Sequence, residues 1–122
     1  MNANDLKSRP GFKRIVKALQ YSIRGLVAAW THEAAFRQEV FAAVVLTGLA
    51  AWLSRSVSDF AVLLASLLLV LLIELLNSAI EALADAITLD MHPLIQRAKD
   101  LGSAAVLAGM GIAALVWLAV LL

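Results

Sequence analysis

The chain has 122 residues, of which 62% are apolar, and its mean hydropathy is +0.88. This apolar share lies well above the roughly 45–50% of soluble domains, which excludes an ordinary soluble protein and indicates one integral-membrane domain over residues 1–122. The formal net charge is only +1 and cysteine is absent, which excludes a disulfide framework and thiol chemistry.

The first predicted element is an amphipathic helix over residues 5–30. Its apolar residues recur at spacings of one, three and four, which keeps them on one helical face. They are Phe12, Ile15, Val16, Leu19, Ile23, Leu26, Val27 and Trp30. Basic residues, including Lys13, Arg14 and Arg24, occupy the other face. A basic amphipathic helix is typical of the membrane interface; the alternative is a helix packed on a soluble core.

Three membrane-spanning helices are predicted next, over residues 33–54, 59–86 and 96–122. The apolar run 40–53 is too short to span a bilayer, so the first span must begin near Glu33 and include charged residues. A pair between Glu33 and Arg37, or snorkelling of Arg37 and Glu39 to the headgroups, accounts for those charges structurally. Thr31 and Ser58 are the candidate N-caps of the first two spans.

Basic residues orient the spans. Seven of the ten lysines and arginines precede residue 40, so the N-terminus and the segment 85–100 are expected to face the cytoplasm. Several polar residues then approach one membrane surface. They are Glu33, Glu74, Glu81, Asp85, His92, Lys99 and Asp100.

The second span carries a polar stripe, formed by Glu74, Asn77, Glu81 and Asp85. On a helix these four positions fall within a sector of about 80°. An unpaired acid at the bilayer centre costs roughly 2.5–3.5 kcal/mol on insertion scales, so the stripe should face protein, water or ions. With so few helices, the chain is expected to bury the stripe by forming an oligomer. Simple hydrogen bonding of Glu74 or Asn77 to a neighbouring helix is the alternative.

Carboxylates beside Lys99 suit phosphate and Mg²⁺ chemistry, because Mg²⁺ takes one or two carboxylates together with substrate phosphates. A partly buried carboxylate also suits a general base. The sequence has no GxxxxGK[ST] motif, so the nucleotide-binding loop of soluble NTPases is excluded.

Three motifs carry a resemblance. Residues 34–39 read AAFRQE, residues 74–81 read ELLNSAIE with Asp85 following, and residues 97–106 read RAKDLGSAAV. Together they resemble the prokaryotic diacylglycerol kinase family over nearly the whole chain. The resemblance implies an all-α homotrimer of the inner membrane, with one surface helix and three spans per protomer. It also implies ATP-dependent, Mg²⁺-assisted phosphorylation of diacylglycerol to phosphatidic acid, at sites shared between neighbouring subunits on the cytoplasmic side.

The resemblance also implies roles for individual residues. Glu74 matches the catalytic base, and Glu33 and Glu81 match the carboxylates that hold the metal. The positions that match nucleotide contacts are Arg14, Tyr21, Glu33, Glu81, Asp90, Met91, His92, Lys99 and Asp100. The positions that match the lipid substrate are Arg14, Glu74, Asn77, Ser103 and Trp117.

Three other functions fit parts of the sequence. The segment His92-Pro93-Leu94, followed by Ala98-Lys99-Asp100, also resembles the undecaprenol kinases of the same superfamily. A small channel or proton-coupled transporter would likewise use an intramembrane acid. In a purely structural membrane protein, the polar stripe would only specify the oligomer.

Overall fold

The computed structural model describes residues 10–122, and its regular elements there are four α-helices. They are α1 (Pro10–His32), α2 (Ala34–Leu53), α3 (Val57–Ile87) and α4 (Pro93–Leu121). The last three are long and apolar enough to cross a membrane. The predicted all-α membrane fold with one amphipathic helix and three spans is therefore confirmed, and the protein is a multi-pass membrane protein. The predicted start of the first helix, at residues 5–9, lies outside the described residues.

The chain divides into two compact units, one ending at Ala34 and the other spanning Ala35–Leu122. In the first unit, α1 presents an exposed apolar face, with Ile15, Leu19 and Val27 all more than half exposed. This is the surface expected of a helix that embeds one side in the membrane interface. On its polar side, the guanidinium of Arg24 lies 5.8 Å from the centre of the Tyr21 ring.

The helix ends differ from the predicted ones for local reasons. The N-cap of α3 is Ser56 rather than Ser58, because the Ser56 hydroxyl accepts a hydrogen bond of 3.0 Å from the Asp59 amide. A cap bonds the amide two or three residues ahead of it, and Ser58 already lies inside the helix. Thr31 does not cap α2 either, because α1 continues to His32 and only Glu33 separates the two helices.

The third span begins at Pro93, three residues earlier than predicted. Proline lacks an amide hydrogen and suits the first turn of a helix, where that hydrogen would have no partner within the helix. The His92 side chain caps the same turn, accepting a hydrogen bond of 3.1 Å at Nδ1 from the Leu94 amide. The connection over residues 88–92 is short, which makes α3 and α4 antiparallel neighbours.

The core of the second unit is the α3–α4 pair. On α4, Gly102 and Gly109 are buried two helical turns apart, and their lack of a side chain lets the α4 backbone lie close to side chains of α3. On α3, Leu63 is fully buried. Further from the connecting loop, the Trp117 indole Nε1 donates a hydrogen bond of 3.0 Å to the Ser66 hydroxyl. The packing of α3 against α4 therefore places the polar stripe next to α4.

Candidate functional site

The polar stripe runs from the interior of α3 to its end. Glu74 and Asn77 are 6% and 8% exposed, Glu81 is half-buried and Asp85 is exposed. The burial of Glu74 and Asn77 is achieved within one chain. The expectation that the whole stripe needs a second copy was therefore wrong for these two residues, because α3 packs its polar face against the chain's own spans. Only the end of the stripe stays open in the single chain.

Glu74 faces a second acid that the sequence interpretation missed. The Glu39 carboxyl of α2 lies beside the Glu74 carboxyl, within hydrogen-bonding reach. Glu39 Oε2 is buried with no hydrogen-bond partner among the described residues. A signal was available, since an acid within a span is expensive unless it meets another polar group. Snorkelling of Glu39 to the headgroups, the explanation that the sequence suggested, gives the carboxyl no polar partner inside the bundle. Two carboxyl groups therefore meet inside the helix bundle.

Asn77 links the buried and the open parts of the stripe. Its Nδ2 donates a hydrogen bond of 3.3 Å to Glu81 Oε1, one turn further along α3. Its Oδ1 is buried and has no hydrogen-bond partner within residues 10–122. Gly102 of α4 lies directly against that oxygen. The amide thus supports the Glu81 carboxylate from a packed position.

At the end of α3 the stripe meets α4 through an ion pair. Lys99 Nζ lies 2.7 Å from Asp85 Oδ1, and the two side chains are 33% and 48% exposed. The predicted nucleotide residue Lys99 is thereby joined to the last acid of the stripe. A lysine ammonium supplies a compact positive charge of the kind that attracts phosphate groups.

An open cleft of about 470 Å³ lies at the start of α4, and it brings three predicted nucleotide residues together. Its lining residues are Met91, His92, Pro93, Gln96, Arg97 and Asp100. Of the predicted set, Met91, His92 and Asp100 are present. Arg97 also lines the cleft, although the sequence interpretation gave it no contact with the nucleotide. Its guanidinium supplies the donors that phosphate oxygens require.

Asp90 precedes this cleft in the loop between α3 and α4. Its backbone amide donates a hydrogen bond of 3.0 Å to the Thr88 hydroxyl, and its side chain is exposed. Asp100 accepts a hydrogen bond of 2.9 Å from the Gln96 side-chain amide. The loop and the first turns of α4 are therefore held by short-range hydrogen bonds that leave polar side chains at the surface.

A second, apolar cavity of about 290 Å³ lies among α2, α3 and α4. Glu39 and Trp117 both line it. Trp117 bonds Ser66, which precedes Glu74 by eight residues, or about 12 Å along the helix axis. The structure thus places Trp117 in the same apolar cavity as Glu39 but well away from the Glu74 carboxyl. Ser103 is exposed on α4.

Three further predicted residues belong to the unit that ends at Ala34. Arg14 and Tyr21 are exposed on α1, and Glu33 is half-buried at the break between α1 and α2. Their assigned contacts with nucleotide, lipid and metal stay predictions.

The donor set fits Mg²⁺ carried on a nucleotide. Among residues 10–122, no three His, Cys, Asp or Glu side chains converge into a group that would hold a metal by itself. Mg²⁺ bound with a triphosphate needs fewer protein ligands, because phosphate oxygens and water supply most of its octahedral ligands. The half-buried Glu81 carboxylate, which Asn77 supports, is an oxygen donor of the required kind.

Comparison with known proteins gives a consistent result. The sequence matches the family model for prokaryotic diacylglycerol kinase over residues 20–121. The protein named diacylglycerol kinase from Escherichia coli K12 is 49% identical over 107 residues, which cover 88% of each chain. The protein of the same name from Pseudomonas aeruginosa is 44% identical over 122 residues, covering 100% of this chain and 99% of that protein. A Helicobacter pylori protein of that name is 42% identical over 107 residues, covering 88% of this chain and 84% of its own length.

Proposed function

The chain belongs to the prokaryotic diacylglycerol kinase family, and on that premise we propose that it transfers the γ-phosphoryl group of ATP to the free hydroxyl of diacylglycerol, forming phosphatidic acid and ADP. The observation that carries this proposal is Glu74. It is an acid buried within a membrane-spanning helix, 6% exposed, on a stripe that leads to Lys99 at the helix end.

Glu74 is the proposed general base. An intramembrane carboxyl is costly to keep and is by default functional. In the transfer, the hydroxyl oxygen forms a bond to the γ-phosphorus while the bond from that phosphorus to the bridging oxygen of ADP breaks. The Glu74 carboxylate takes the hydroxyl proton. Holding the hydroxyl in line with the triphosphate provides the rest of the rate gain.

The nucleotide is proposed to bind over the end of α3 and the start of α4. Lys99 supplies a positive charge, and the cleft that contains His92, Arg97 and Asp100 supplies donors and acceptors. Glu81 and Glu33 are the carboxylates that would hold Mg²⁺. When bound, Mg²⁺ neutralises charge on the phosphates.

The proposed location is the inner membrane, with the site on its cytoplasmic side. The uneven distribution of basic residues supports this orientation. The proposed assembly is a homotrimer with shared sites. What supports a shared site is the open end of the stripe, because Glu81 is only half-buried and Asp85 is exposed in the single chain.

The test is a kinase assay with the purified protein in lipid–detergent micelles. Labelled ATP and Mg²⁺ are supplied with diacylglycerol or with undecaprenol in separate reactions, and the labelled lipid is scored. Label in phosphatidic acid is the expected result. Label only in undecaprenyl phosphate would reassign the acceptor. Absence of label in either lipid, together with solute flux in liposomes without ATP, would favour the transporter alternative.

A further inference from the structure

Of the six glycines in the chain, Gly102 has the least space for a side chain. A Cβ built there would collide with Asn77 Oδ1, while Ile80 Cδ1 would be in ordinary contact at 3.7 Å. At Gly11, Gly25, Gly48 and Gly111 nothing lies within 4 Å of a built Cβ. Backbone of α4 therefore approaches the Asn77 amide in a way that any side chain at position 102 would prevent.

The amide against Gly102 has one favourable orientation. Its Nδ2 donates to the Glu81 carboxylate, and the reverse orientation would place two oxygen acceptors face to face. Oδ1 must then point towards α4, where it is buried without a hydrogen-bond partner among the described residues. One Cα hydrogen of Gly102 points at this oxygen and is a weak donor. The glycine accommodates the oxygen, and the oxygen's position leaves Nδ2 facing Glu81.

We propose that Gly102 is a positioning residue of the kinase site, which acts through Asn77 to hold the Glu81 carboxylate for the nucleotide-bound metal. This inference rests on the proposed function, in which Glu81 is a metal carboxylate. The 3.3 Å separation of Asn77 and Glu81 is long for a hydrogen bond to a carboxylate. Such bonds at catalytic sites often shorten only when substrate is bound.

Gly109 provides a matched control. It is also buried, lies on the same face of α4 two turns away, and packs against the same helix. A Cβ there would lie 2.6 Å from Ile73 Cδ1, the far end of a flexible apolar side chain rather than a polar group of the stripe. Alanine at position 109 therefore perturbs the α3–α4 packing without a direct clash with Asn77. A role of Gly102 in packing alone would make the two substitutions equivalent.

The experiment compares Gly102→Ala, Gly109→Ala, Asn77→Ala and the double variant Asn77→Ala/Gly102→Ala. Binding of Mn²⁺ in the presence of a non-hydrolysable ATP analogue is measured by electron paramagnetic resonance. The Mg²⁺ concentration for half-maximal phosphorylation of diacylglycerol is measured in parallel, and assembly is checked by size-exclusion chromatography. Loss of a partner that orients a metal ligand weakens metal binding by roughly 10–100-fold.

We expect Gly102→Ala to raise the half-saturating Mn²⁺ concentration by about tenfold or more, and Gly109→Ala to leave it near that of the wild type. Adding Gly102→Ala to Asn77→Ala should change nothing further, because the colliding amide is already gone. Equal effects of the two glycine substitutions would overturn the inference, as would an unchanged Mn²⁺ affinity in Gly102→Ala.

Two further outcomes are decisive. If Gly102→Ala does not assemble, the double variant must assemble and bind Mn²⁺ as Asn77→Ala does, since only the amide blocks a methyl group at position 102. Failure of the double variant to assemble counts against the inference. If the wild type binds Mn²⁺ with the nucleotide but phosphorylates no diacylglycerol, the proposed function fails, while the Mn²⁺ comparison still decides the role of Gly102.

Discussion

Replacing Ser66 with alanine would leave the Trp117 indole without its acceptor in an apolar part of the bundle. The indole Nε1 donates to the Ser66 hydroxyl at 3.0 Å, and that hydroxyl donates to the Leu63 carbonyl at 2.6 Å. An unsatisfied buried donor costs about 1–3 kcal/mol, whereas side-chain hydrogen bonds measured in a membrane protein average about 0.6 kcal/mol and reach about 1.7. We therefore expect Ser66→Ala to lower the free energy of unfolding by about 1 kcal/mol.

A double-mutant cycle with Trp117→Phe isolates the hydrogen bond from the loss of indole contacts. Phenylalanine removes the donor while Ser66 keeps its bond to Leu63, so the coupling energy between positions 66 and 117 should fall at about 0.6–1.7 kcal/mol. Unfolding is driven by dodecyl sulfate in mixed micelles at a fixed protein concentration and followed by circular dichroism. A coupling energy below about 0.3 kcal/mol, the range of simple additivity, would refute the reasoning.

The same variant separates structural from lipid-binding roles of Trp117. Ser66 lies about 12 Å from Glu74 along α3, so Ser66→Ala should leave kcat for diacylglycerol unchanged. A raised KM for diacylglycerol with unchanged kcat would show that the hydrogen bond to Ser66 holds the Trp117 indole in the orientation that contacts the lipid. A fall in kcat in an assembled, folded variant would contradict the placement of Ser66 outside the reacting centre.

Three other predictions follow from the site and the core. Glu74→Gln should lower kcat by roughly 100-fold or more while the protein still assembles, because it keeps the shape and removes the base; near-normal turnover in a coupled ADP assay would eliminate Glu74 as the base. Asp85→Asn should cost less than about 1 kcal/mol of unfolding free energy, because both side chains of its ion pair with Lys99 are partly exposed to solvent. A larger loss in the dodecyl sulfate titration would contradict this. Leu63→Ala should cost about 2–5 kcal/mol in the same titration because Leu63 is fully buried, whereas Leu68→Ala, at a position 56% exposed, should cost much less.

Local sequence signals predicted most of the fold and failed where two signals competed. The apolar runs located the three spans, because a run of about twenty apolar residues is long enough to cross a bilayer as a helix. A helix also satisfies the hydrogen bonds of its own backbone there, where no water is available. Ser58 was chosen as the cap of α3 because it precedes Asp59, but Ser56 reaches the Asp59 amide and leaves Ser58 inside the helix. The sequence interpretation started the third span at residue 96, three residues after Pro93, although proline at the first helical position is itself a start signal.

The candidate site divides along similar lines. Helical spacing alone grouped Glu74, Asn77 and Glu81, because residues on one helix have a known angular relation. The pairing of Glu39 with Glu74 was missed, since the two lie on different helices and only their packing brings the carboxyls together. Gly102 was not singled out, for the same reason. Its contact with Asn77 depends on the rotation of α4 against α3.

By itself, the sequence determined the helical class, the number of spans and the stripe of acids along one of them. These properties follow from hydrophobicity and from helical periodicity, which act between residues close in the chain. Tertiary structure decided which neighbours the stripe meets. Three contacts depend on how separate helices pack, and no local sequence pattern encodes how those helices are rotated and shifted against each other. They are the contacts of Glu39 with Glu74, of Asp85 with Lys99 and of Gly102 with Asn77.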